Sequence, residues 1–244
     1  MSSTISIDDR VDGQFKIDED LNKQLAFSDR LGFIRKVYGI LSAQLAVTVA
    51  FCLCSVLSER FAKFQQEHIN LLFFMIVVSL GTSSVLTFFR DIAKTVPTNY
   101  ALLSAFTIAE SYMVSAVCTV YDPQIVLMAA VLTAGVTIAL TVYACTTKTD
   151  FTFLGGMLFV LACLSLLTGF FLMFSNNDTL RVLYCAVGCV IFSIYLIFDT
   201  QIIIGSGRFK LGYDEYIFAA MTLYLDIIVL FLKILEILGK SKKQ

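Results

Sequence analysis

Three carboxylates stand where an acidic side chain is expensive. Glu110, Asp199 and Asp226 each lie within a stretch that is otherwise apolar: Tyr100 to Tyr121, Val182 to about Ile204, and Tyr216 to Leu238. A charge at the centre of a membrane helix costs about 2.5–3.5 kcal/mol even on lenient insertion scales, so such an acid is either functional or held neutral as interhelical glue. Asp199 and Asp226 are separated by a short connection, which would make their segments antiparallel neighbours able to set the carboxyls against each other. Buried together, both cannot ionise comfortably; the pair would share a proton, titrate as a unit and act as a pH sensor. Tyr195 and Thr222 lie one turn before Asp199 and Asp226 and can hydrogen-bond them, as Thr107 can Glu110. Depth is the obstacle. Asp226 sits about ten residues into its segment and Asp199 about five from the end of its own, an offset of about 7 Å that tilt or a later helix start must close.

The same acids suit a cation path. Calcium takes about six to eight oxygens, and a conducting site must bind weakly enough to release. Asp199 and Asp226 are therefore candidate transient calcium ligands, with Glu110 as an additional contributor to the path. No resident cofactor is expected; calcium would be the transported ion.

The elements that must hold these acids follow from composition. Of 244 residues, 58% are hydrophobic and only 15% charged, with a mean hydropathy of +0.82. An ordinary soluble domain is about half apolar and a quarter charged, so the lipid bilayer is the expected partner. A net charge of −1 offers no basic field for nucleic acid. The single His68 leaves no imidazole cluster for zinc chemistry. Val37 to Ser58, Ile69 to Phe89, Pro123 to Thr147, Phe151 to Asp178 and Val182 to Phe198 each run apolar, with no charge before the closing Asp178 of the fourth, for about the 17–25 residues that cross a hydrocarbon core. Adding the segments of Glu110 and Asp226 gives seven spans. None shows the alternation of a barrel strand, so all are helices: an all-α polytopic membrane protein with seven transmembrane helices. Short connections predict that consecutive helices are antiparallel neighbours, and Asp122 followed by Pro123 predicts the capped start of the fourth span.

Residues 1–30 carry Asp8, Asp9, Asp12, Asp18, Glu19 and Asp20 with few large apolar residues, and read as a disordered acidic tail without a signal peptide. The transmembrane domain is expected over 31–240, with a basic end over 241–244. Lys and Arg near the span ends number roughly nine on the N-terminal side and six on the other, which favours a cytosolic N-terminus. Lys240, Lys242 and Lys243 would themselves prefer the cytosol, which a six-span chain with a re-entrant last helix would allow. All seven cysteines fall inside the spans and read as small hydrophobes; Cys185 and Cys189, at i,i+4, are the one pair worth testing. Lys233 and Glu236 read as snorkelling anchors.

Around the acids, the sequence resembles the transmembrane Bax inhibitor motif, or lifeguard, family, and its Golgi-associated branch in particular. The similar blocks are FIRKVYGILSAQLAVT (Phe33 to Thr48), FTIAE (Phe106 to Glu110), LTVYACTTKTDFTFLGGMLF (Leu140 to Phe159), IFDTQ (Ile197 to Gln201) and DEYIFAAMTLYLDI (Asp214 to Ile227). The resemblance implies two three-helix layers around a central C-terminal helix. It also implies a pH-sensitive calcium leak of Golgi or endoplasmic reticulum membranes, increased by acid and associated with negative regulation of apoptosis, with Asp199 and Asp226 as the sensing pair. Where many members have Ser-Pro before Glu-Glu-Tyr, this chain has Gly212 and Tyr213 before Asp214, Glu215 and Tyr216, so gating by that loop is expected to differ. Arg90 is either a basic partner of the pair or a snorkelling interface residue.

Two alternatives stand beside the leak. One is a non-conducting membrane interaction protein that binds calcium channels or cell-death proteins. The other, an intramembrane aspartyl protease, is disfavoured because Asp226 follows Tyr224 and Leu225 rather than a Gly-x-Gly. A lipid hydrolase needing three histidines is excluded, and no enzymatic activity is expected.

Overall fold

The computed structural model of the chain describes residues 7–175 and 177–241, with side chains from residue 21 onward; Lys242 and Lys243 lie outside it. Among the described residues the elements are helices α1 (Ile7–Leu57), α2 (Glu59–Glu67), α3 (Ile69–Phe88), α4 (Arg90–Lys94), α5 (Thr98–Cys118), α6 (Pro123–Thr146), α7 (Gly155–Met173), α8 (Asp178–Ile204) and α9 (Tyr216–Ser241), with one 3-10 turn at Thr152–Leu154. Seven of the helices, all but α2 and α4, are long and apolar enough to cross a membrane. The starts follow local chemistry. The Asp122 side chain accepts from the Gln124 N–H at 2.9 Å with Pro123 in the first turn, and Asn177 accepts from the Leu180 N–H at 3.1 Å.

The spans form two layers. In the first, α5 packs against both α1 and α3; in the second, α8 packs against both α6 and α7. Helix α9 lies against α1, α5, α6 and α8, which makes it the central rod. In both layers the third member by sequence threads between the first two. The expectation of neighbouring consecutive spans holds for α3 and α5, α7 and α8, and α8 and α9, but α1 and α3, α5 and α6, and α6 and α7 touch marginally at most, because a middle helix or the central rod fills the space between them. The short helix α2 carries the chain across the first layer, its Gln65 buried between α1 and α5.

Burial follows the same plan. Tyr224, Ile217, Leu223 and Leu235 of α9 are fully buried, whereas Phe159, Leu166, Phe171 and Met173 of α7 are exposed on the outer face of the bundle, where lipid would cover them.

Two expectations about the ends change. The stretch 1–30, expected to be a disordered tail, is helical from Ile7 and continuous with the first span. Neither of the chain's two prolines falls within α1, so nothing interrupts its hydrogen-bond ladder, and its length reaches about 77 Å against roughly 30 Å of hydrocarbon. The first half therefore projects beyond the bundle, with residues 21–29 exposed. At the other terminus, Lys240 is ion-paired with Asp178, the first residue of α8. Helix α9 thus runs the whole length of α8, and a re-entrant last helix is excluded.

Candidate functional site

Asp199 lies five residues before the end of α8 and Asp226 ten residues into α9. The α8–α9 packing sets their carboxyl groups against each other. Closing the depth offset requires α9 to begin about 7 Å further from the bilayer centre than α8 ends. The connection 205–215 gives the chain room to do so. Asp226 is buried, Asp199 partly buried, and Oδ2 of Asp226 has no hydrogen-bond donor. Two ionised carboxylates offer only acceptors, so contact between them calls for a proton on one. The Thr222 hydroxyl meets Asp199 across the interface and also lies 3.2 Å from the Ala219 carbonyl. It therefore serves the acid of the facing helix rather than Asp226 on its own.

A collar holds the end of α8 one turn beyond Asp199. Gly205 adopts a left-handed φ of 76° and its N–H donates to the Gln201 carbonyl at 2.8 Å, closing the helix. A side chain at this position would collide with Arg30, whose Nε lies 2.9 Å from where a Cβ would be. Arg30 donates from Nε to the Ile204 carbonyl (3.2 Å), from Nη1 to Leu211 (2.7 Å) and from Nη2 to Ile202 (2.5 Å). The Gln201 amide donates to the Thr149 carbonyl (2.9 Å) and accepts from the Phe151 N–H (2.8 Å), tying down the loop before α7. Sequence reasoning quoted Gln201 within a motif without giving it a task and assigned Arg30 to the tail. No local signal marks a side chain that caps a helix 172 residues away.

The other expected supports are placed differently. Tyr195 donates to the Leu158 carbonyl of α7 at 2.5 Å, so its one proton is not available to Asp199. Thr107 donates to Leu103 and accepts from the Gln44 amide at 3.0 Å, away from Glu110. Glu110 instead faces α3, where Ser79 donates to its Oε1 at 2.5 Å. It is a separate acid on the middle helix of the other layer, not a third member of the pair.

A buried polar seam between α1 and α5 was also missed. Thr48 Oγ1 lies 2.9 Å from both Ser111 Oγ and Tyr224 Oη; further along, Gln65 bridges Ser55 and Ser115, each at 2.8 Å. Thr107, Ser111 and Ser115 recur every four residues, a spacing that the sequence displays.

Arg90 pairs with Glu215 at 2.6 Å, not with the aspartates, and Lys94 pairs with Asp214 at 2.9 Å and Glu215 at 3.7 Å. The connection between the two acid helices is thus clamped to α4. Proximity to Lys94 holds the Asp214 carboxyl below its ordinary range and Asp214 in turn pushes the lysine up. Lys233 turns inward, its Nζ 3.7 Å from the centre of the Tyr184 ring, and Glu236 accepts from the Cys185 thiol at 3.1 Å rather than snorkelling outward.

The family model described as "Inhibitor of apoptosis-promoting Bax1" matches residues 30–243. The chain belongs to the Bax inhibitor family. It is 36% identical to protein lifeguard 4 of Mus musculus over 215 residues, 88% of this chain and 87% of that one. It is likewise 36% identical to the Golgi anti-apoptotic protein of vaccinia virus (strain Lister), covering 88% of each chain. Protein lifeguard 3 of Homo sapiens is 32% identical over 211 residues, 85% of this chain and 68% of the relative. The family match starts at Arg30, the residue whose side chain reaches the end of α8.

Proposed function

We propose that this Bax inhibitor family member is a pH-sensitive calcium leak of an intracellular membrane, gated by Asp199 and Asp226, whose action suppresses cell death. What carries the reading is the contact of two carboxyls from different helices in an apolar interior, one on the middle helix of a layer and one on the central rod. With one proton between them, the pair makes a charge-assisted O–H···O bond, roughly twice as strong as a neutral one, and holds α8 to α9. A second proton neutralises the pair and weakens the bond, so acid releases the latch and the leak rises. Among the described residues no third His, Cys, Asp or Glu joins the two as a metal cluster, so a passing calcium ion would take most of its oxygens from water and release easily. The name of the viral relative favours a Golgi membrane, and the distribution of Lys and Arg favours a cytosolic N-terminus.

Calcium-loaded proteoliposomes test this. Wild-type protein should leak faster at acid pH, and Asp199→Asn or Asp226→Asn should flatten that response. Unchanged pH dependence in both variants would remove the sensor assignment. Absence of flux from folded wild-type protein at every pH would leave the non-conducting interaction protein as the reading.

A further inference from the structure

Cys52 and Cys118 are 66 residues apart, yet their sulfurs lie 3.9 Å from each other across the α1–α5 contact. We propose that they form a redox-responsive pair that closes to a disulfide and staples the first span to the third. Three observations favour it beyond proximity. Cys118 is the last residue of α5 and Cys52 lies five residues before the end of α1. Both thiols are therefore within about 8 Å of the bundle end that also carries α2, close to the membrane surface rather than at its centre. Their accessibility is unequal: Cys52 is partly exposed and Cys118 fully buried, which provides one sulfur for attack on an outside reagent and one to resolve the product. The helices that carry them are already held together by Thr48 with Ser111 and by Ser55 and Ser115 through Gln65. The thiols consequently stay opposed, and closing needs about 2 Å of sulfur approach to reach a bond of about 2.05 Å.

The oxidant is a low-molecular-weight disulfide. The Cys52 thiolate attacks one of its sulfurs, forming a mixed disulfide and releasing one reagent thiolate. Cys118 then loses its proton and attacks the Cys52 sulfur, forming the Cys52–Cys118 bond and expelling the second reagent thiolate. Two protein thiols are oxidised, one reagent disulfide is reduced to two thiols, and those thiols take up the two protons. With a cytosolic N-terminus, this end faces the organelle lumen, where disulfides persist.

Purified full-length protein in proteoliposomes is treated with oxidised glutathione, and in parallel with the membrane-permeable oxidant diamide. It is then denatured, alkylated with N-ethylmaleimide and mapped by mass spectrometry. Two of the seven thiols should escape alkylation, in a Cys52–Cys118 linked peptide that dithiothreitol opens. Cys118→Ser should trap a single glutathione on Cys52, and Cys52→Ala should leave Cys118 fully alkylatable. Seven alkylated thiols after both oxidants, a linkage mapping to another pair, or glutathione retained on Cys52 beside a free Cys118 in the wild type would each overturn the proposal. The readout needs no calcium flux, so its failure is separable from that of the leak.

Discussion

At the scale of residues, the three membrane acids divide by what faces them. Asp199 and Asp226 face each other, whereas Glu110 faces the Ser79 hydroxyl, a neutral donor. An acid whose partner is a hydroxyl ties two helices together; the proposed sensor needs an acid whose partner is another acid. Glu110→Gln keeps an oxygen for Ser79 to bond and should leave the pH profile of calcium flux unchanged. Ser79→Ala removes the donor and should lower the thermal midpoint further, by an unfolding cost of about 1–3 kcal/mol for an unsatisfied buried polar group. A pH profile displaced by Glu110→Gln would return this acid to the sensor. All three acids were legible in the sequence because each interrupts an apolar run. Their supports were not, because Tyr195 and Thr107 share a helix face with an acid but find acceptors or donors on other helices.

At the scale of elements, the end of α8 decides how firmly Asp199 is held. Its last carbonyls have no partners within the helix, and Arg30 donates from a fixed planar fork to two of them, Ile202 and Ile204, and to Leu211 of the connection. Arg30→Lys preserves the charge but cannot reach three diverging carbonyls, and should cost about 1.5–3 kcal/mol, the range for hydrogen bonds to a charged group. Differential scanning in detergent checks this, and an unchanged midpoint would show the collar to be dispensable. The sequence made the span of α8 readable to about Ile204. It could not show that the end of α8 depends on a residue of α1, since Arg30 stands at the end of the polar stretch 1–30, far from α8 along the chain.

At the scale of the whole molecule, the connection between the acid helices is tied to the first layer by Arg90 and Lys94. Asp214 is held below its ordinary value of 3.8, so its share of the clamp is complete above that pH and fades as pH falls through the lower folded value. Lys94 is raised above 10.5, so its share is complete below that pH and lost as pH climbs through the higher folded value. The clamp should therefore be constant over the range in which the aspartate latch would respond, which separates the two devices. Hydrogen–deuterium exchange of residues 205–215, normalised for intrinsic rate, should rise in Lys94→Met and in wild type at high salt, but stay level between mildly acidic and neutral pH. A rise across that interval would make the clamp part of the pH response.

The sequence by itself determined the helical class, the number of spans and the acids that could sense protons, because hydropathy and charge are local properties that a bilayer turns into rules about length and cost. Only the tertiary structure decided which helix is the middle one of each layer around the central rod that the resemblance implied, that Arg30 closes a helix far along the chain, that Arg90 meets Glu215, and that Cys52 lies against Cys118. Each of those depends on which helix threads between which others, and apolar faces of similar composition do not specify that order one span at a time.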